Sequence, residues 1–476
     1  MNLKTQTTII NIISKIIGIL FLLLAIIWIG GIIIVNILPN AYLSYLIIPA
    51  GMVLIMIFFL FSKKTNLNLK KGLTFFTTLI IMLMVIGLNY AFQTIGFLDN
   101  LNFLPYKTEK YYVLVLKDSR YHKLPDLNNQ TMSINQLKTA GLTMALETIE
   151  SQIKIKKIRN INLNEAATAL LNKEVESMLI EQSYLTILKE ENLPFASLTK
   201  AIYSVTVKIK TKSIVKKVDV TKEPFNIYVS GLDTYGTINS VSRSDVNIVA
   251  NINPLTSKII LVAIPRDYYV QLHGTNGYKD KLTHAGIYGI DMSVKTIEDL
   301  LKIDINYYVK INFTSLVKSV DAIDGIDVNS LYTFTSQDGF KYTKGINHMN
   351  GAEALSFSRE RHTLPGGDRA RGLNQEAVIK AMITKITGST IITSYDKLLK
   401  ALDGTFQTNL PTSSLKALVK NQINHMPSWN IKSFNLDGTD SSNYTYSYPN
   451  QMLYVMEPTL TTITLAQEAI TNNQLK

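Results

Sequence analysis

Two aspartates and five arginines fall in short motifs between Phe225 and Gln375: Asp233 in G-L-D, Arg243 and Asp245 in S-R-S-D, Arg266 in I-P-R-D, Arg359 and Arg361 in R-E-R, and Arg371 in G-D-R-A-R-G-L-N-Q. Arginine carries a flat fork of donors that fits phosphate oxygens bidentately. Mg²⁺ takes one or two carboxylates and completes its shell with water and phosphate oxygens. The mixture therefore suits a magnesium-bridged pyrophosphate. Arg371 and Gln375 are four residues apart on one helix face, and the Pro365-Gly366-Gly367 turn lets that face fold back toward Arg359 and Arg361. Taken singly, each residue has a duller role: a loop aspartate is more often a turn former, and a lone arginine such as Arg369 a surface ion pair. Six histidines, among them His284 and His362, are scattered without metal-ligand spacing. The sequence has no G-x-S-x-G elbow and no P-loop, which argues against serine hydrolysis and nucleotide-driven chemistry.

In this order and with these gaps, the five motifs resemble the LytR-CpsA-Psr family, in its streptococcal capsule type. The likeness runs from about Pro224 to the C-terminus, and the N-terminal layout also looks like that subgroup. It implies a phosphotransferase of the Gram-positive cell membrane that moves a glycopolymer from a polyprenyl (undecaprenyl) pyrophosphate carrier to peptidoglycan, with Mg²⁺ as cofactor. On the matching positions, the resemblance makes Asp233 and Asp245 metal ligands. Arg243, Arg266, Lys281, Arg359, Arg361, Arg371 and Gln375 become pyrophosphate contacts, and Arg266, Arg359, Arg361 and Arg371 the catalytic cations. Lys281 stands in D-K-L-T-H-A-G, where a solvated role is nearly as good a reading. Two positions depart from the pattern: Val246, where many relatives have threonine, and Asn374, where many have arginine. Asp267 is either a base or an organiser of arginine. Relatives also hold lipid inside this domain, which would place a groove among the otherwise core-like apolar segments between Ile259 and Val320. Other readings keep the pocket without transfer, as a pyrophosphate-lipid hydrolase or a lipid-binding module. A membrane-bound transcriptional regulator, a label the family has carried, rests here on basic charge alone.

These residues need a scaffold. Phe225–Ser230, Val246–Asn251 and Ile259–Ile264 read as strands, the last so continuously apolar that both its faces must be covered. Ser293–Leu301 and Phe313–Ile323 read as amphipathic helices. Asn350 with Glu353 makes a capping box for a helix ending at the arginine pair. Asp368 is expected to cap a longer helix anchored by Ala377, Val378, Ala381 and Ile386. The expectation for residues 222–476 is an α/β/α sandwich with a central mixed sheet, its aspartates and Arg266 at strand ends, where open α/β sheets bind ligands.

At 476 residues and 46% hydrophobic, the chain exceeds one soluble domain. Residues 16–37, 43–61 and 73–92 are each about long enough, at roughly 20 residues, to span a bilayer, giving a three-helix membrane domain over 1–98. Lys4 and Lys15 before the first span, and Lys63, Lys64, Lys70 and Lys71 between the second and third, place those sides in the cytoplasm and everything after the third outside. Residues 107–217 read as a small extracellular α/β accessory domain. Tyr111–Leu116 is its strand, Ser133 with Gln136 opens a helix, Asn164–Leu171 and Leu185–Glu191 are further helices, and Lys208–Lys217 is a linker. The net charge of +12 invites nucleic acid, but no DNA-reading element stands in the cytoplasmic pieces, so the expected partner surfaces are membrane and wall polymer. With no cysteine, disulfides and thiol chemistry are excluded.

Overall fold

The computed structural model describes residues 3–35, 55–62, 64–100, 106–135, 139–160, 163–182, 184–185, 188, 193–210, 214–235, 238, 243–388, 397–398, 401, 406–448 and 451–475. Helices α1 (Leu3–Val35) and α2 (Leu67–Asn100) open the chain. Their segments Thr5–Gly31 and Leu67–Ile86 are long and apolar enough to cross a bilayer, and side chains such as Ile26 and Phe75 point outward from the pair. Polar residues join them near one end: Ser14 Oγ and Thr74 Oγ1 lie 2.8 Å apart, and Lys70 donates to Asn11 Oδ1 at 2.7 Å. Two such helices, rather than three, occur among the described residues. The expected middle span, 43–61, lies largely outside them, with only 55–61 described as helix. Both helices begin earlier than expected, because the lysine, threonine and asparagine residues flanking the apolar runs are tolerated in helix.

Strands β1 (Tyr106–Leu116), β2 (Thr131–Asn135), β3 (Lys156–Asn160), β4 (Ser177–Glu181) and β5 (Thr199–Lys210) form a sheet in the order 3-2-4-1-5. Helix α3 (Ala140–Glu150) packs Leu142, Ala145 and Ile149 against Val113 and Val115, while α4 (Leu163–Leu171) packs Ala166 and Leu170 against Leu114 and Met178. Ser133, expected to cap a helix, is instead buried in β2, where its hydroxyl accepts from Asn160 Nδ2 at 3.1 Å. The real cap is Thr139, whose Oγ1 accepts from the Leu142 amide at 3.0 Å. Strand β5 continues to Lys210, past the expected start of the linker at Lys208. Val205, Val207 and Ile209 are buried and alternate with exposed Thr206 and Lys208, the two-residue period of a strand with one solvated face. The helix expected at Leu185–Glu191 lies mostly outside the described residues.

The second sheet contains β6 (Phe225–Leu232), β7 (Ser244–Asn253) and β8 (Lys258–Ala263). Then come the hairpin β9 (Tyr269–Gln271) and β10 (Lys279–Lys281), helices α5 (Leu282–Ala285) and α6 (Ile290–Leu301), strand β11 (Tyr307–Asn312) and helix α7 (Phe313–Ala322). Short strands β12 (Ile326–Ser330), β13 (Phe334–Thr335), β14 (Lys341–Tyr342) and β15 (Gly345–Met349) lead to α8 (Gly351–Arg359) and α9 (Asp368–Thr387). The chain ends through β16 (Phe406–Thr408), α10 (Thr412–His425), β17 (Asn430–Asn435), the hairpin β18 (Gly438–Tyr444) and β19 (Met452–Pro458), and α11 (Leu460–Gln474).

Its order is β16-β11-β6-β7-β8-β17, with β11 parallel to β6, β17 parallel to β8, and the other neighbours antiparallel. This is the expected mixed sheet. On one face Tyr228, Val249 and Val262 pack against Ile297 of α6 and Ile470 of α11. On the other, Ile248, Leu261 and Ala263 meet Ile379 and Ile383 of α9. Both faces being covered accounts for the unbroken apolar run of β8. Beyond the strand ends, α7, α8 and α9 share a core of Val320, Phe357 and Val378. The backbones of α7 and α8 touch at Gly351, where a Cβ would lie 2.3 Å from the Val317 carbonyl oxygen.

Candidate functional site

The C-terminal ends of β6, β11, β8 and β17 and the N-terminal end of β7 all lie at one edge of the sheet. Asp233 follows β6 there and is exposed, while half-buried Arg243 precedes β7. Asp245 is set by a bulge: Gly231 pairs with Val246 and Leu232 with Ser244, leaving Asp245 as the extra residue. A bulge re-aims the side chain it carries. It also requires the glycine of G-L-D, since a Cβ on Gly231 would lie 2.7 Å from Val246 Cβ.

Asp245 is held by two donors. Arg266 Nη1 approaches its Oδ1 at 2.8 Å, and the Thr283 hydroxyl donates to the same oxygen at 3.1 Å. Arg266 Nε also reaches Asp267 Oδ2 at 3.4 Å, and Lys281 Nζ lies 3.0 Å from Asp267 Oδ1. Burial by itself would raise the Asp267 carboxyl, but Lys281 and Arg266 outweigh it and hold that group below the usual carboxylate range. Burial likewise opposes the charge of Arg266, and Asp245, Asp267 and Asp368 overcome it, so its guanidinium lies above its ordinary value. Asp267 thus organises the cations. Thr283 was missed in the sequence, although it stands two residues after Lys281; it supplies a hydroxyl beside Asp245, next to the position where Val246 lacks one.

The remaining arginines approach from α8 and α9. The capping box at Asn350 forms as expected, with Asn350 Oδ1 accepting from the Glu353 amide at 3.0 Å and Glu353 Oε2 accepting from the Asn350 amide at 2.8 Å. It starts a helix whose last residue, Arg359, lays its guanidinium over the Phe313 ring at 4.5 Å. Phe313 donates its amide to the Thr234 carbonyl at 3.1 Å, which ties Arg359 to the loop carrying Asp233. Glu360, another residue the sequence reading passed over, turns inward. Its carboxylate accepts from the amides of Gln337, Arg361, His362 and Thr363 at 2.7 to 3.0 Å, and this leaves Arg359 and Arg361 exposed on either side. Arg361 Nε lies 3.2 Å from His362 Nε2.

On α9, Gly367 rather than Asp368 is the cap residue, with φ 55. Asp368 is the first helical residue and pairs with Arg371. Burial lowers the Arg371 guanidinium, Asp368 counters that, and Arg266 and Arg361 lower it further. Arg371 therefore shares one electrostatic neighbourhood with Arg266, Arg361 and Asp245. Gln375 lies half-buried one turn on. Asn374 is buried and donates to the Phe357 carbonyl at 3.0 Å, a helix-to-helix tie where many relatives carry an arginine. Arg369 forms the expected ion pairs, with Asp437 at 2.8 Å and Asp440 at 3.2 Å. His284 is no ligand candidate: it is buried against Asp280 at 2.6 Å. The apolar residues Ile259, Leu261, Ile297 and Val320 are packed core.

Residues 195–462 match the model of the LytR_cpsA_psr family. The chain is 38% identical over 211 residues to a polyisoprenyl-teichoic acid–peptidoglycan teichoic acid transferase, TagU, of Bacillus cereus, covering 44% of this chain and 68% of that protein. It is 34% identical over 235 residues to the protein of the same name from Bacillus mycoides, covering 48% and 76%. Among solved structures, the crystal structure of B. subtilis TagV is 30% identical with a TM-score of 0.46, covering 53% of this chain and 98% of that one.

Proposed function

Because the chain belongs to the LytR-CpsA-Psr family, we propose that it is a membrane-anchored ligase that transfers a glycopolymer from a polyprenyl (undecaprenyl) pyrophosphate carrier to peptidoglycan. The observation that carries this reading is the ion-pair chain at the sheet edge, in which Arg266 bridges Asp245 and Asp267 within the field of Arg371. Paired carboxylates keep these cations in place in the absence of substrate, and two linked phosphates would replace part of that negative charge. Asp233 and Asp245 would supply the two carboxylates that Mg²⁺ takes together with phosphates and water. When bound, the ion would neutralise charge on the pyrophosphate.

The protein's own part is alignment and charge stabilisation. Arg243, Arg266, Lys281, Arg359, Arg361, Arg371 and Gln375 would hold the two phosphates. A sugar hydroxyl of peptidoglycan attacks the phosphorus next to the glycan, the bond to the bridging oxygen breaks, and polyprenyl monophosphate leaves with its electron pair. The hydroxyl proton passes to solvent or to a carboxylate, and a phosphodiester remains. The N-terminal helices supply the anchor. On the span count expected from the sequence, the lysines at the helix ends favour a cytoplasmic N-terminus and both sheet units outside the cell membrane of a Gram-positive bacterium. The capsular or related exopolysaccharide class is proposed for the polymer on the resemblance of the chain's layout to the capsule type alone, and the teichoic acid named for the relatives is the competing substrate.

Transfer of a labelled glycan from a synthetic polyprenyl pyrophosphate to peptidoglycan oligomers, with and without Mg²⁺, tests this. Metal-dependent adduct formation, lost in Asp233→Ala, is expected. Release of polyprenyl phosphate with no adduct would make the protein a hydrolase, and tight lipid binding without turnover would make it a binding module. Parallel capsular and teichoic donors separate the two polymer classes.

A further inference from the structure

The β18–β19 hairpin lies beside the cation cluster and has no part in the chemistry above. Ser442 pairs with Tyr454 and Tyr444 with Met452, so these side chains share one face of the hairpin. On that face Tyr444, Met452 and Tyr454 are 54%, 53% and 44% exposed. On the other, Val455 is buried and Leu453 packs toward Tyr448. Sequence alternation of this kind normally puts polar residues on the solvated side, yet here two tyrosines and a methionine occupy it.

The face is continuous with the phosphate cations. Lys281 Nζ, paired with Asp267, lies 5.8 Å from the centre of the Tyr454 ring. The Tyr454 hydroxyl donates to Asp440 Oδ1 at 2.9 Å. Arg369, two residues before Arg371, donates to Asp437, to the Gly438 carbonyl at 2.6 Å and to Asp440 at 3.2 Å. Tyr269, beneath the hairpin's far end, donates its hydroxyl to the Tyr444 carbonyl at 2.7 Å. The hairpin is thus clamped in place, with its aromatic face starting about one sugar ring from Lys281.

We propose that this face is a saccharide platform that seats the first sugars of the pyrophosphate-linked glycan, with Tyr454 under the sugar nearest the phosphate and Tyr444 under the next. A pyranose presents C–H groups on its face and hydroxyls on its rim. Tyrosine rings suit the first, and Ser442, paired with Tyr454 and next to Tyr444 on that face, and Asp440, which accepts the Tyr454 hydroxyl, suit the second. A polyprenyl chain would instead ask for an apolar trough, and this face carries a carboxylate, a hydroxyl and a neighbouring ammonium. The platform rests on the pyrophosphate reading and gives the same site its substrate specificity.

The test compares two probes on the full-length protein in detergent micelles: polyprenyl pyrophosphate alone, and the same lipid carrying a disaccharide. Tyr454→Ala is expected to weaken binding of the disaccharide lipid about tenfold, the size of one aromatic stacking contact, and to leave the bare lipid unchanged. Tyr454→Phe, which keeps the ring, should restore most of the difference, and Tyr444→Ala should reproduce a smaller part of it. Equal weakening toward both probes would overturn the platform, because Tyr454 would then act on phosphate through Lys281. Unchanged binding of both probes in folded Tyr454→Ala and Tyr444→Ala would overturn it as well. Wild-type protein that binds neither probe would instead bring down the pyrophosphate reading itself.

Discussion

Lys157 and Glu150 in the first sheet unit form an ion pair at 2.7 Å with both side chains more than a third exposed, whereas Arg266 and Asp245 in the second meet at 2.8 Å with side chains 23% and 15% exposed. The distances are alike and the settings are not. An exposed pair gains little, because water already solvates both ions. Shielded ions must recover their desolvation from each other, so they come in connected sets, as the chain from Asp245 through Arg266 and Asp267 to Lys281 shows. Both units are α/β sheets with helices on each face, and the fold class says nothing about which one does chemistry. What distinguishes them is where charge sits. In the second unit a shielded set gathers where the parallel strands end, beside solvated pairs such as His348–Asp327. In the first, the ion pairs among the described residues lie on solvated surface, as in the Lys173–Asp118 pair at 3.7 Å.

Removing a cation from each unit should break the symmetry of that comparison most sharply. Arg371→Ala and Arg359→Ala are expected to lower transfer of labelled glycan by about two to three orders of magnitude, the range for deleting one preorganised donor of transition-state charge. Arg120→Ala and Arg159→Ala in the first unit should leave the rate unchanged. Arg359 is exposed and stacked on Phe313, so its variant should melt within a few degrees of wild type. Full activity in a folded Arg359→Ala protein would remove it from the site.

The next effect concerns how the carboxylates are aimed. Gly231→Ala forces a Cβ against Val246, and overpacking of this kind costs about 1–3 kcal/mol. A lowered thermal midpoint and weakened transfer are expected together, because the bulge that presents Asp245 would shift. Val246→Gly on the same chain removes the Cβ that the new methyl would meet and should recover much of both. Recovery of stability without activity would mean that the bulge, and not the crowding, is what the site needs.

A smaller effect separates the units by pH. The Asp267 carboxyl lies below its ordinary value in the folded protein. The stability it contributes is therefore complete above the unfolded value of about 4 and is lost as pH falls through the folded one. In that window the unfolded chain binds more protons, and stability rises with pH. Asp267→Asn should flatten this acid limb in denaturant titrations. Glu360, lowered by its four amide donors despite burial, keeps part of the slope in the variant. An unchanged slope would remove Asp267 from the organising role.

Much of this arrangement was legible in the sequence where the signal is local. The apolar runs of β6, β7 and β8, the helices from Ser293 and Phe313, and the Asn350 capping box each depend on neighbours a few residues away, and each appears close to where it was expected. Ser133 and Asp368 misled for the same reason. Ser133 with Gln136 satisfies the capping-box pattern and Asp368 is a good capping residue type ahead of an apolar stripe, while only tertiary packing decides whether such a residue lies in a strand, as Ser133 does, or inside the helix, as Asp368 does. The Lys-rich end of β5 looked like a linker because its polar face was read and its buried Val207 and Ile209 were not. The bulge at Asp245, the hydroxyl of Thr283 and the Gln337 amide on Glu360 come from residues far apart in the chain, and no spacing in one segment could have shown them.

The smallest expected change is at the exposed pair in the first unit. Lys157→Ala removes a contact whose two side chains are 37% and 36% exposed, and exposed pairs contribute about 0–1 kcal/mol. The thermal midpoint should move by no more than a degree or two, the shift should shrink further at high salt because solvent-exposed charges are screened, and transfer should be unaffected. Arg266→Gln is the partner experiment. It leaves Asp245 and Asp267 short of a shared cation, so its loss of stability should exceed that of Lys157→Ala and should persist at high salt. If both variants lost equal stability and responded equally to salt, the contrast between a solvated pair and a shielded chain would fail, and the arginine at the sheet edge would have to be counted as surface charge like any other.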